Sequence, residues 1–95
     1  MVRKVPAHGD FRSQEEHGAA ITVVGLDDRH RALAAAALSA VDTTPLYARV
    51  DAVDTDDGLR IMELELIEPT LWLRWHPPTA DVLAASIAAQ LAQAR

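Results

Sequence analysis

Two alternating runs, residues 46–53 and 59–67, flank the turn Thr55, Asp56, Asp57, Gly58, and this pattern restricts the fold more than any other stretch of the chain. Alternation has the period of a strand, and an acidic turn ending in glycine closes two strands into an antiparallel hairpin. With the loop centred on Asp57 and Gly58 in the left-handed position of a bulged turn, Arg49 pairs with Glu65 and Asp51 with Glu63. Side chains alternate across a strand, so Arg49, Asp51, Glu63 and Glu65 share one face. Val50, Met62, Leu64 and Leu66 are expected on the other.

A charged face of this kind is ordinarily the wet side of an antiparallel sheet, where a cross-strand pair such as Arg49 with Glu65 helps slightly. Asp51 opposite Glu63, with Glu65 beside them, points elsewhere. Like charges directly across a ladder destabilise it unless a cation intervenes. The donors are hard oxygens and the chain has no cysteine, which suits Mg²⁺ (or Mn²⁺) better than zinc. Mg²⁺ takes one or two carboxylates and completes its shell with substrate phosphates. On the residues alone, the solvated face and the metal face both stand.

Around the hairpin the elements are short. Val2 to Val5 reads as a strand stopped by Pro6, and the β-branched run from Ala19 to Val24 reads as another. The polar loop between them, residues 7–18, is long for a chain of 95 residues, and a loop of that length is usually a functional lid or a disordered piece. Asp27 is placed to cap a helix running to about Val41, with Asp28 at the positive end of its dipole. Leu33, Ala37 and Ala40 or Val41 give that helix a narrow apolar stripe. Pro77 and Pro78 introduce a last helix, expected to be capped by Thr79 and to bury Leu83, Ile87 and Leu91. The expected class is α+β: an antiparallel sheet with helices on one face, in one domain spanning 1–95. A packed core should bury roughly two-thirds of the unfolded chain's surface.

Fourteen acids against nine bases give a net charge of −5, so the field repels nucleic acid and anionic membranes, and neither is expected as a partner. Without cysteine there is no disulfide framework, thiolate zinc site, iron–sulfur cluster or cysteine nucleophile. Arg3 and Lys4 have no apolar segment behind them, and no apolar run reaches membrane-spanning length, so the expected compartment is the cytoplasm.

Tyr47, Ala48, Arg49, Val50, Asp51, the acidic turn with Gly58, then Met62, Glu63, Leu64, Glu65, Leu66, Ile67, Glu68, Pro69 resemble the ATP-grasp signature. There an Arg-x-Asp strand, a turn and a Glu-x-Asn strand ending near proline hold Mg·ATP. Gly9, Asp10, Phe11, Arg12, Ser13, Gln14, followed by Glu15, Glu16, His17 and Gly18, resemble the phosphate-covering loop of the ribosomal-protein-modifying and glutathione-synthetase-like branch. The resemblance implies the C-terminal lobe of an ATP-grasp fold, truncated, with a phosphate loop at 7–18 and a metal-binding hairpin at 46–68. It implies Asp51, Glu63 and Glu65 as metal ligands, Arg49 against the transferring phosphoryl group, and Arg12, Ser13, Gln14 and Arg49 on the ATP phosphates. Glu65 and Gln14 each stand where the family has asparagine. The implied chemistry is attack of a carboxylate on the γ-phosphate to give an acyl phosphate, which an amine captures. The cofactors are then Mg²⁺ (or Mn²⁺) and ATP. The partners are ATP and a carboxylate substrate once an N-terminal lobe completes the site, with a homo-oligomer or a complementary lobe as the protein partner. The run from Glu63 to Pro69 further resembles a subset that includes a cyclo-ligase.

The rival reading is a non-catalytic α+β module that binds a divalent ion or a protein partner through an exposed sheet edge. Of the other residues, His8 and His17 read as solvated, His30 and His76 as structural, and Trp72 and Trp75 as packing anchors. Lys4 has only its charge to recommend it.

Overall fold

The computed structural model describes residues 1–9 and 18–94. β1 (Val2–Val5) pairs antiparallel with β2 (Ala20–Val23), Val2 opposite Val23 and Val5 opposite Ala20. Gly9 and Gly18 both sit at φ +81°, in the region open to glycine. Arg12, Ser13, Gln14 and His17, and with them most of the expected phosphate loop, lie outside the described residues.

Helix α1 spans Asp28–Ser39. Asp27 Oδ1 accepts from the His30 backbone N–H at 2.8 Å, the capping bond its position in the sequence predicts. The helix ends two residues before Val41. Ala40 N–H donates to Ala37 O and Val41 N–H to Leu38 O, a tightened last turn that closes the helix without a glycine.

β3 (Arg49–Thr55) and β4 (Gly58–Glu65) form the hairpin. Arg49 faces Glu65, Val50 faces Leu64 and Asp51 faces Glu63, as the sequence predicts. The route to that register is different. Thr55 pairs with Gly58, Asp54 with Leu59, Val53 with Arg60 and Ala52 with Ile61, and the register shifts between Asp51 and Ala52. The extra residue is Met62, so the bulge lies in mid-strand and not at the turn. Gly58 nonetheless holds φ +108°. Met62 is 71% exposed and does not join Val50 and Leu64, which corrects its expected place on the apolar face.

Beyond β4 the chain passes through two left-handed non-glycine residues, Glu68 (φ 58°) and Trp72 (φ 57°), before a 3₁₀ turn at Leu73–Trp75. Helix α2 covers Pro78–Gln93, with Pro77 at its N-cap. Thr79 lies inside the first turn, its Oγ1 2.9 Å from His76 Nδ1, and is not the cap. Two prolines without N–H groups leave fewer donors for a side chain to satisfy.

The α+β class holds, with two helices and two separate two-stranded antiparallel sheets among the described residues. α1 rests against β4, and α2 touches the 3₁₀ turn. The packed core does not form: no described residue is buried, and Ile87 and Leu91, expected inside, are 41% and 61% exposed. The surface is 7231 Å², against about 5,400 Å² for a compact chain of this mass. The radius of gyration is 15.1 Å, against about 12.4 Å for a compact domain of this length. Two-stranded ladders each with one bare face are the reason. Among the described residues no helix is long and apolar enough to cross a membrane.

Candidate functional site

The hairpin register sets the site. Arg49 and Asp51 are neighbours on one face of β3, and Glu63 lies across the ladder from Asp51. Arg49 Nε donates to Asp51 Oδ1 at 2.9 Å and Nη2 to Asp51 Oδ2 at 3.1 Å, a two-pronged fork. Nη2 also reaches Glu63 Oε2 at 3.3 Å. The fork is half-buried, the Arg49 and Asp51 side chains each 23% exposed. A guanidinium is thus the cation between the two opposed carboxylates, and it answers the like-charge problem posed by the sequence. Nη1 makes a long 3.4 Å contact with the Thr70 carbonyl, tying the hairpin to the segment after it.

Glu65 lies two pairs further along, opposite Arg49. Its Oε1 accepts from the Ile67 N–H at 2.9 Å, so the carboxylate closes the end of its own strand. Among the described residues no three histidine, aspartate or glutamate side chains are grouped to hold a metal ion. The donor set that does converge is Asp51 with Glu63. Two hard carboxylates gathered on one cation suit Mg²⁺ or Mn²⁺, which ordinarily leave the remaining positions to water and phosphate oxygens.

An open cleft runs past this cluster. Of the nine lysines and arginines in the chain, five line it: Arg3, Lys4, Arg29, Arg49 and Arg74. Four acids, Asp27, Asp51, Asp54 and Glu63, line it as well. Among the described residues, bases thus slightly outnumber acids along the cleft, on a chain of net charge −5.

Three contacts in this region escaped the sequence. Lys4 Nζ stands 5.4 Å from the centroid of the Trp72 ring, joining β1 to the segment that follows the hairpin. Trp72 reaches it from a left-handed backbone, which costs about 1–3 kcal/mol. Arg29 Nη1 and Nη2 donate to Asp54 Oδ1 and Oδ2 at 3.2 and 2.9 Å, fastening α1 to β3. Hydrogen bonding from Arg29, then its charge, holds the Asp54 carboxyl below the ordinary value. Asp27 is lowered as well, first by the His30 backbone N–H and then by the His30 ring, whose Nδ1 is 2.6 Å from Oδ1. His30 and His76, read from the sequence as structural or incidental, each have a ring nitrogen near a local oxygen, Asp27 Oδ1 and Thr79 Oγ1. For Lys4 with Trp72 and Arg29 with Asp54 only the residue types hinted at the pairing, since the partners come from distant parts of the chain; the His30 ring sits one helical turn from Asp27.

An Arg-x-Asp strand facing a glutamate strand beside an open cleft is consistent with a module of the ATP-grasp class. The family model described as the RimK-like ATP-grasp domain matches residues 1–71, and the chain belongs to that family. The match takes in both sheets and α1, and α2 lies beyond it. No curated protein and no solved structure matches the chain.

Proposed function

We propose that the chain is the C-terminal lobe of an ATP-dependent carboxylate–amine ligase or cyclo-ligase, and that its hairpin handles the phosphate and metal end of Mg·ATP. The observation that carries this reading is Asp51 facing Glu63 with the Arg49 guanidinium held between them. Asp51 and Glu63 would hold Mg²⁺ (or Mn²⁺), Glu65 joining them on leaving the Ile67 N–H, and Arg12, Ser13, Gln14 and Arg49 would contact the phosphates. The bound ion supplies charge neutralisation for transfer of the γ-phosphoryl group to a substrate carboxylate, giving an acyl phosphate for an amine to capture.

Phosphoryl transfer asks a protein for positioning and countercharge and needs no covalent nucleophile. Arg49 meets this demand from a rigid strand, and Lys4 adds positive charge to the same cleft. A complementary N-terminal lobe would hold the nucleoside and share the carboxylate substrate.

Calorimetric titration with Mg²⁺ and ATP tests the reading. Binding heat is expected for the native chain and is expected to be lost in the Asp51→Asn, Glu63→Gln double variant. Equal heats from the two chains would remove the metal-site claim.

A second reading, a non-catalytic module that docks on a protein partner, draws on one observation. Met62, Ile67 and Val82 are 71%, 76% and 66% exposed, on a chain without a buried residue among those described. An ATP response that survives in the double variant, or no response in either chain, favours that alternative.

A further inference from the structure

Arg49 engages the carboxylate oxygens that a metal ion at Asp51 and Glu63 would use. Its Nε and Nη2 take one oxygen each of Asp51, and Nη2 extends to Glu63. A divalent ion bound by the same two carboxylates would approach those oxygens from the same cleft. At about 4 Å a guanidinium and a divalent cation repel strongly even in a solvated setting. The two cations therefore compete for one pair of anions. The contact with the Thr70 carbonyl, at 3.4 Å, is too long to hold the guanidinium once the fork is lost.

We propose that Arg49 is a displaceable counter-ion: a divalent cation arriving at Asp51 and Glu63 breaks the fork and frees the guanidinium for an anion in the cleft. The inference rests on the metal-site reading above and adds an order of events to it. Without metal, Arg49 stabilises the hairpin and is spent on Asp51. With metal, the ion takes over neutralisation of the carboxylates, and the arginine becomes available to a phosphate oxygen.

The exchange costs the chain one charge-assisted, half-buried fork, so part of the metal's intrinsic affinity goes into displacing Arg49. Linkage makes the effect reciprocal. Whatever draws Arg49 towards an anion strengthens metal binding, and metal strengthens anion binding by the same factor. A cooperative response to metal and polyphosphate then follows from one side chain, without any shift of the backbone.

The test is a Mn²⁺ titration of the full 95-residue chain, followed by electron paramagnetic resonance, for the native protein and for Arg49→Gln. The Arg49 Nε–H signal of the native protein is followed by NMR as Mg²⁺ is added, with Arg49→Gln providing its assignment. Arg49→Gln is expected to bind Mn²⁺ about tenfold more tightly, within the usual range of coupling between sites. The native Nε–H signal is expected to move along the metal isotherm. Equal or weaker Mn²⁺ affinity in Arg49→Gln overturns the displacement and leaves the metal-site reading in place. A stationary Nε–H signal while metal binds does the same. No Mn²⁺ binding by either chain overturns both.

Discussion

At the scale of single residues, the carboxylates divide by the partner each has found. Asp51 and Glu63 share Arg49, Asp54 has Arg29, Asp27 has His30, and Glu65 has a backbone N–H. Asp54 and Asp27 titrate below the ordinary carboxylate value because of hydrogen bonds from Arg29 and His30. Their folded pKa is lower than their unfolded one. Their contribution is then fully present above the unfolded value of about 4 and is lost as pH falls through the folded values. The thermal midpoint followed by circular dichroism is accordingly expected to stay level from neutral pH to about pH 4 and to drop below it. In Asp54→Asn the drop should be shallower; an unchanged profile would show that the Arg29 pair contributes nothing. Glu65→Ala removes the acceptor for the Ile67 N–H and should cost about 1 kcal/mol in denaturant unfolding. Glu65→Gln keeps an acceptor there and should cost less.

At the scale of elements, much of the hairpin was legible because periodicity and turn chemistry are local signals. The strands, their faces near Arg49 and the pairing of Asp51 with Glu63 follow from alternation and an acidic turn ending in glycine. The mid-strand bulge at Met62 was not legible, since nothing in Ile61-Met62-Glu63 distinguishes a bulged methionine from a paired one. Helix α1 announced itself through Asp27, and Asp27→Ala is expected to lower helical ellipticity and the thermal midpoint together. The cap of α2 was misplaced onto Thr79 because a hydroxyl beside prolines looks like a capping residue, whereas Pro77 and Pro78 begin the helix themselves. Gly58 holds φ +108° with open space where a Cβ would stand. Gly58→Ala should therefore lose stability through backbone strain alone, by about 1 kcal/mol in urea unfolding, with no clash to relieve.

At the scale of the whole molecule, composition suggested a core that the fold does not assemble. A hydrophobic content of 49% says how much apolar surface exists, and topology decides whether it meets itself. Here two small sheets and two helices lie along a body of 53 × 28 × 22 Å with no described side chain buried. The chain hides about half of its unfolded surface instead of two-thirds. Unfolding should therefore show a heat-capacity change below the roughly 1.1–1.4 kcal/mol/K usual for this length, and the native protein should bind a hydrophobic dye. A steep, calorimetrically normal transition without dye binding would mean that the apolar surface is covered in solution.

The Met62 bulge has a consequence for how this strand tolerates insertions and deletions. Removing one residue from a strand ordinarily inverts every side chain beyond the cut. Here Ile61 already pairs with Ala52 and Glu63 with Asp51, the adjacent position on β3, so excising Met62 would leave a regular ladder in the same phase. The bulge, by leaving Met62 out of the ladder, is thus what lets Glu63 face Asp51. Were Met62 paired in step with the turn, it would itself face Asp51, and both glutamates would swing to the side that carries α1. The acidic row is a matter of counting along the strand, and the count is kept by a side chain that packs against almost nothing.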